Sequence, residues 1–218
     1  MTTMRRMQLD HLSYAAGPEG LAGTAERLSE LLGEKFVDGG IHPRFGTTNM
    51  ILPLSGGIYL EVVEVLDHPA SDKAPFGQAV RARTKLGGGW LAWVVRVDDI
   101  APVESRLERQ AVQGNRHRPD GVELLWKQIG LRTLLTEPAL PFFIQWQSSD
   151  DLHPSRGATG EVALTSLELS EQPQRVAAWL DTPAEHSIGD FEVEWVDGEA
   201  PGLVAASFST SSGPVRIA

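Results

Sequence analysis

Cysteine is absent from the 218 residues of this chain. Its absence excludes disulfides, thiolate metal sites and cysteine nucleophiles. Sequence motifs of several other enzyme classes are also absent. The Gly87–Gly89 run precedes a predicted strand, whereas a phosphate-binding loop leads from a strand into a helix. There is no G-x-S-x-G or H-E-x-x-H motif, so the sequence shows neither a hydrolase nucleophile elbow nor a zinc-protease helix.

Positive charge and long apolar runs are also scarce. The chain has 19 Lys and Arg against 29 Asp and Glu, a formal net charge of −10. Its longest basic cluster, Arg116, His117 and Arg118, is too short for the basic face that nucleic acids require. No apolar run approaches the ~18 residues of a membrane helix, and Met1–Asp10 lacks the apolar stretch of a secretory signal. We therefore expect no nucleic-acid partner, no membrane span and a cytoplasmic location.

Glycine and proline are plentiful, with 22 and 14 residues, and they separate short apolar runs typical of strands. One order of elements, a strand, a helix and then several strands, recurs three times, over 7–66, 90–147 and 161–218. The pattern predicts an α+β fold. We expect a domain at 7–153 made of two paired copies, and a third, degenerate copy at 161–218.

Four short segments resemble a known family. They are Leu9-Asp10-His11-Leu12-Ser13-Tyr14, His42-Pro43-Arg44-Phe45-Gly46-Thr47-Thr48-Asn49, Tyr59-Leu60-Glu61 and Pro141-Phe142-Phe143-Ile144-Gln145-Trp146. With the repeat, they resemble the bacterial glyoxalase-like domain family of the vicinal oxygen chelate superfamily, which includes glyoxalase I and the extradiol dioxygenases. The resemblance covers residues 8–155 well and the third copy weakly. It implies repeated β-α-β-β-β units whose mixed, curved sheets form a cup, and we expect the third copy to extend the sheet.

The resemblance also implies which side chains face the cup, because the first and fourth strands of each unit point into it. Strand periodicity places His11 with Leu9 and Ser13 on one face, and Glu61 with Tyr59. A carboxylate within an apolar strand is costly unless it is paired or metal-bound. Imidazole and carboxylate together suit Zn, Ni, Mn or Fe(II). We predict that His11 and Glu61 are catalytic and ligate such a metal. The alternative is a Glu61–Arg pair, a core histidine at His11 and no metal.

The second copy supplies fewer candidate ligands. Aligning 143–145 with 59–61 puts Gln145 in the position of Glu61, as a tentative third ligand on the opposite wall. The position that matches His11 is Ala92, which cannot ligate, and in the third copy it falls near Thr165. A facial triad needs two histidines and one carboxylate, so this reduced set disfavours ring-cleaving dioxygenase chemistry.

Further residues are candidates for substrate binding. His42 and Asn49 lie on one loop and strand and could orient an anionic or carbonyl group. The alternative is that His42-Pro43 is a rigid turn and Asn49 caps a bend. We also assign Tyr59, Trp90 and Gln145 to this site, since aromatic walls accept small, partly apolar ligands. His153, in a loop at the end of the second copy, could close over the cup, but a loop histidine is usually solvated.

Three functions follow from these residues. The first is a metal-assisted lyase or isomerase of the glyoxalase type, acting on a small carbonyl compound. The second is a metal-free protein that binds or sequesters a small molecule. The third, disfavoured, is a ring-cleaving dioxygenase. All three predict a small-molecule ligand, and we expect a monomer or a homodimer.

Overall fold

The computed structural model describes residues 7–183, 187–188 and 191–218. The strands are Gln8–Ala15 (β1), Val37–His42 (β2), Thr47–Leu54 (β3), Ile58–Val65 (β4), Gly89–Arg96 (β5), Val112–His117 (β6), Glu123–Ile129 (β7), Phe142–Trp146 (β8), Ala163–Ser170 (β9), Ser187–Ile188 (β10), Phe191–Trp195 (β11), Gly202–Thr210 (β12) and Gly213–Ile217 (β13). The helices are Gly20–Leu32 (α1), Pro69–Lys73 (α2), Pro75–Lys85 (α3), Ala101–Leu107 (α4) and Pro173–Leu180 (α5). In this part of the chain, no helix is long and apolar enough to cross a lipid bilayer.

Local sequence explains where the helices begin and end. Helix α1 ends at Gly33, whose φ of 77° is the left-handed conformation that glycine adopts without a steric cost. The N–H of Gly33 donates to the carbonyl of Ser29. Helix α4 carries Pro102 in its first turn, where a missing N–H costs no hydrogen bond. Helix α3 likewise begins with a proline, Pro75, in its first turn.

Strands β1 to β8 close into a barrel with the order β1-β4-β3-β2-β6-β7-β8-β5. Each half is a β-α-β-β-β unit in which the first strand lies parallel to the last, β1 beside β4 and β5 beside β8. The halves join where β1 runs antiparallel to β5 and where β2 meets β6. At the second junction, a Cβ on Gly40 would lie 1.9 Å from the carbonyl oxygen of His117, so glycine is required for this close approach. The predicted fold, repeated units forming a cup, is confirmed.

The barrel strands separate two apolar clusters. Outward-facing side chains such as Leu12, Leu60 and Trp93 pack in one cluster with Leu28 of helix α1. Inward-facing side chains such as Val63 pack in a second cluster, inside the barrel. Polar residues on the inner face are therefore held within an apolar interior, which positions the site.

A β-bulge at Asp10 and His11 shifts the faces of β1. Leu9 pairs with Val95 and His11 pairs with the next residue of β5, Val94. Asp10 is therefore an extra residue on β1, as in a β-bulge. The expectation that Leu9 shares the face of His11 is wrong, because the bulge turns Leu9 outward into the outer cluster. Ser13, beyond the bulge, does face inward, as its hydrogen bond to Glu61 shows.

The third copy forms a sheet of its own, with the order β10-β11-β9-β12-β13. The prediction that it extends the sheet of the cup is wrong, since a closed barrel offers no free strand edge. The extra sheet instead stacks on the outside, where Leu167 and Phe208 join the outer apolar cluster. The Trp90 indole N–H donates to the carbonyl of Ile217 over 2.9 Å. The division into domains at 7–153 and 161–218 stays a prediction.

Candidate functional site

A narrow cavity inside the barrel collects polar and aromatic side chains from both halves. Its volume is about 30 Å³, close to a water molecule's share of liquid volume. It is lined by His11, His42, Phe45, Tyr59, Glu61, Phe76, Arg116, Trp126, Gln128, Phe142, Ile144 and Trp146. The structure thus brings together four predicted residues of the first half: His11, His42, Tyr59 and Glu61.

Two larger clefts adjoin this cavity. Phe45 and Gln128 also line a cleft of about 630 Å³, and Trp146 also lines a cleft of about 390 Å³. Because lining residues are shared, these clefts lie next to the cavity.

Glu61 is a buried carboxylate with two hydrogen-bond donors. The Ser13 hydroxyl donates to Oε1 over 2.5 Å, and the Asn49 amide donates to Oε2 over 2.8 Å. Burial raises the pKa of Glu61, but the imidazoles of His11 and His42 and the two hydrogen bonds bring it below its ordinary value. Glu61 is therefore ionised at neutral pH. Asn49 lies behind this carboxylate rather than on the cavity wall.

His11 lies between two carboxylates. Its Nδ1 is 2.6 Å from Oδ1 of Asp10, and its Nε2 is 3.8 Å from Oε1 of Glu61. The ring stacks on Tyr59 with a centroid distance of 4.5 Å and an interplanar angle of 20°. Burial, together with the nearby Asp10 and Glu61 charges, raises the pKa of Tyr59 well above its ordinary value, so its phenol is neutral. These contacts fix the ring and present Nε2 to the cavity.

Asp10 is the buried centre of a hydrogen-bond network. Its Oδ2 accepts from the Trp146 indole over 2.9 Å and lies 3.1 Å from Nε2 of His153. Burial raises the pKa of Asp10, but the hydrogen bonds and charges of His11 and His153 hold it far below its ordinary value. An ionised Asp10 can only accept, so the proton of its bond to His11 sits on Nδ1.

His153 is buried, which differs from the expectation of a solvated histidine in a loop. Its Nδ1 is 2.7 Å from the Ser155 hydroxyl, opposite the nitrogen that faces Asp10. Neither Asp10 nor His153 was assigned to the site, since no local pattern shows that a bulge turns Asp10 inward toward a residue 143 positions away.

His42 is a buried, neutral imidazole on the cavity wall. The Thr47 hydroxyl lies 3.2 Å from its Nδ1. Burial lowers the pKa of His42, the Glu61 charge opposes this effect and the Arg116 charge adds to it, with a net pKa of about 3. The ring packs edge-on against Trp126 at a centroid distance of 5.9 Å. His42 therefore contributes a polar but uncharged surface.

Arg116, His117 and Arg118 form the basic cluster of the sequence, but their side chains point to different sides of the barrel wall. Arg116 points into the barrel and is 3% exposed. His117 pairs with Glu123 on the surface, and Arg118 pairs with Asp120. Burial lowers the pKa of Arg116, while the Tyr59 and Glu61 groups oppose that effect. Alternation along β6 is the signal that could have found it.

Besides Asn49, two other predicted residues lie outside the cavity, Gln145 and Trp90. Gln145 was expected on its opposite wall, but its carbonyl oxygen accepts from the N–H of Ile100 and its amide donates to the carbonyl of Asp98. The alignment was off by one position, so Ile144 points inward instead, since neighbouring strand residues face opposite sides. Trp90 packs in the outer cluster against the third sheet.

The donors in the cavity do not fit a divalent ion. His11 Nε2 and Glu61 Oε1, 3.8 Å apart, supply two donors, whereas protein sites that hold such an ion use three or four. The predicted third ligand, Gln145, lies elsewhere. His42 adds a second imidazole to the cavity. Even so, in the described ranges no group of three or more His, Asp or Glu residues could hold an ion.

Comparisons with known proteins agree with this architecture. A family model described as a glyoxalase-like domain matches residues 9–184. A crystal structure of a hypothetical protein from Staphylococcus aureus is 15% identical, covers 90% of this chain and 88% of its own, and has a TM-score of 0.67. The structure of methylmalonyl-CoA epimerase from Mycobacterium tuberculosis is 17% identical, covers 68% of this chain and 93% of its own, and has a TM-score of 0.46. No curated protein matches the chain. At such identity, the first structure shows a shared fold.

Proposed function

The chain belongs to the glyoxalase-like domain family, and from this premise we propose that it is a lyase or isomerase that moves a proton on a small carbonyl compound. One observation carries the proposal: His11 Nε2 and Glu61 Oε1 lie 3.8 Å apart, both buried, in one cavity. Buried ionisable groups that share a cleft are typical of catalytic sites, because burying charge costs stability.

His11 is the proton carrier in this proposal. Its Nδ1 proton is held by Asp10, so Nε2 has a lone pair directed toward the cavity. When Nε2 takes a proton, the ring becomes positive between two carboxylates, those of Asp10 and Glu61. In other enzymes too, an aspartate that orients a catalytic histidine stabilises the positive charge that the ring gains on protonation. Glu61 is held in place by Ser13 and Asn49 and acts by its charge.

The reaction balances without a further reactant. Nε2 of His11 accepts the proton from the carbon next to the substrate carbonyl, and the electron pair of the broken C–H bond moves into the carbonyl to give an enolate. The oxyanion develops in a cavity that also holds the Arg116 cation, which stabilises it. Return of the proton from His11 to a neighbouring position completes an isomerisation, whereas return to the same carbon regenerates the substrate.

Deuterium exchange tests this function directly. The protein is incubated in D₂O with pyruvate, 2-oxobutanoate or hydroxyacetone, and loss of the C–H signal next to the carbonyl is followed by proton NMR. We expect exchange at least 10-fold above buffer for one or more compounds, abolished by His11→Ala. Exchange at the buffer rate with every compound would contradict the enzyme.

A small-molecule binding protein is the second candidate, favoured by the aromatic wall of Phe45, Trp126 and Trp146. Saturable binding of these compounds without exchange would support it. A ring-cleaving dioxygenase stays disfavoured, because the described His, Asp and Glu side chains do not converge as a facial triad. A cytoplasmic location and a monomeric or homodimeric state stay predictions.

A further inference from the structure

Two buried donors in the cavity have no acceptor. Nε of Arg116 and Nε2 of Gln128 are both buried, and neither has a hydrogen-bond partner within the described residues. Both side chains line the same cavity. A buried donor left unpaired costs about 1–3 kcal/mol, more for a charged group. Two unpaired donors on side chains that line one cavity therefore point to an acceptor that a ligand supplies.

The carboxylates nearby do not serve as that acceptor. Glu61 already accepts from Ser13 and Asn49, and Asp10 already binds two histidines and an indole. In the part of the chain that the structure describes, no carboxylate lies within 4 Å of the Arg116 guanidinium. Its positive charge is thus balanced only at a distance, by the Glu61 and Asp10 carboxylates.

The surrounding strands hold both donors toward the interior. Arg116 stands opposite Leu124, whose side chain is fully buried inside the barrel. Gly114, two positions earlier, leaves room for Trp126, since a Cβ there would lie 2.3 Å from the indole. The Trp126 indole N–H donates to Oε1 of Gln128 over 2.7 Å. That bond fixes the amide of Gln128 so that its NH₂ group is the free end.

We propose that Arg116 and Gln128 bind the carboxylate of the substrate, which makes the substrate a small 2-oxo acid. A carboxylate offers planar oxygens that match the guanidinium fork, and it only accepts hydrogen bonds. Phosphate carries more negative charge and would face Glu61 across the same narrow space. The inference rests on the proposed function for its 2-oxo group, because the carbonyl would then lie between Arg116 and His11.

Ligand binding, measured apart from catalysis, tests this inference. The indoles of Trp126 and Trp146 line the cavity, so fluorescence titration reports occupancy, with calorimetry as a second readout. The probes are pyruvate, neutral hydroxyacetone and inorganic phosphate. We expect pyruvate to bind at least 10-fold more tightly than the other two. Arg116→Gln and Gln128→Leu should each weaken pyruvate binding, by at least 10-fold and about 5-fold, and leave hydroxyacetone unchanged.

Arg118→Gln is the matched control, since Arg118 lies two residues away and pairs with Asp120 outside the cavity. It should bind pyruvate as the wild type does. Gln128→Leu keeps the test open should Arg116→Gln fail to fold. Equal binding of pyruvate and hydroxyacetone, tighter binding of phosphate, no binding of pyruvate, or wild-type affinity in folded Arg116→Gln would each overturn the inference. Arg116-dependent binding without deuterium exchange would overturn the proposed enzyme and leave the carboxylate site standing.

Discussion

Asp10 Oδ1 lies 2.6 Å from Nδ1 of His11, although the two residues are consecutive on one strand. In a regular strand their side chains would point to opposite faces. The β-bulge at this point turns both inward. This single irregularity gives the cavity a histidine whose proton is fixed on the nitrogen away from the ligand.

Replacing Asp10 with asparagine is predicted to impair proton transfer. Asp10→Asn keeps the shape but removes the negative charge that supports a protonated His11, so we expect the exchange rate to fall about 10²-fold or more. Stability should fall by about 1–3 kcal/mol, since asparagine keeps only one of the two oxygens that accept from His11, Trp146 and His153. NMR exchange and urea unfolding measure the two effects. Asp197→Asn, at an exposed position, should change neither, and a fully active Asp10→Asn would contradict the role of His11.

Glu61→Gln is predicted to separate activity from stability. Glutamine still accepts from Ser13, and the Asn49 carbonyl oxygen, which has no partner among the described residues, can accept from the new amide. We expect stability within about 1 kcal/mol of the wild type and exchange about 10²-fold slower. Glu61→Ala, which leaves Ser13 and Asn49 unpaired, should cost about 2–4 kcal/mol.

Glu64→Gln is the matched control for Glu61→Gln, because Glu64 lies on the same strand and is partly exposed. It should leave exchange unchanged. If Glu61→Gln retained wild-type exchange, charge at this position would have no part in the reaction.

The pKa of His42 predicts a pH-dependent stability. Its folded value is about 3, against about 6.5 in an unfolded chain. Between these values only the unfolded state holds the proton, so stability falls as pH decreases, by about 1.4 kcal/mol per unit. Urea midpoints from pH 4.5 to 6 should show this slope, and His42→Gln should remove it. The lowered pKa values of Glu61 and Asp10 begin to act near their unfolded values of 4.5 and 3.8, at the lower end of this range, so the slope due to His42 is read between pH 5 and 6.

His117→Gln serves as the control, since the His117 ring is 56% exposed. It should keep the wild-type slope over the same pH range. An unchanged slope in His42→Gln would show that His42 is already protonated in the folded protein.

Metal content is predicted to be well below one ion per chain. His11 and Glu61 supply two donors, and two donors bind a divalent ion less tightly than three or four. The protein, purified without chelator or affinity tag and soaked with Zn, Ni, Mn or Fe(II), is analysed by elemental mass spectrometry. A stoichiometry near one that His11→Ala abolishes would restore the metal-assisted mechanism.

Trp90→Phe is predicted to affect packing without affecting the ligand. It leaves the buried carbonyl of Ile217 without its donor, which should cost about 1–3 kcal/mol. Trp90 lies outside the cavity, so pyruvate binding and exchange should match the wild type. A fivefold change in the dissociation constant would return Trp90 to the substrate site.

The fold could be predicted because its signals are local. Alternation along Tyr59-Leu60-Glu61-Val62 places Tyr59 and Glu61 on one face, and the structure agrees. The repeated order of elements gave the two β-α-β-β-β halves in the same way. The alternation of residues and the order of elements are properties of short segments. Both can therefore be recognised without knowing which strands pair.

Only the tertiary structure decided the rest of the site. The bulge that turns Asp10 inward depends on the pairing of β1 with β5, and the contact of Asp10 with His153 joins residues 143 positions apart. A one-residue shift in register exchanged Gln145 for Ile144 on the cavity wall. The amino-acid sequence alone therefore determined which residues alternate along each strand. Which face of each strand became the interior was decided by long-range pairing, because a shift of one position reverses every side chain.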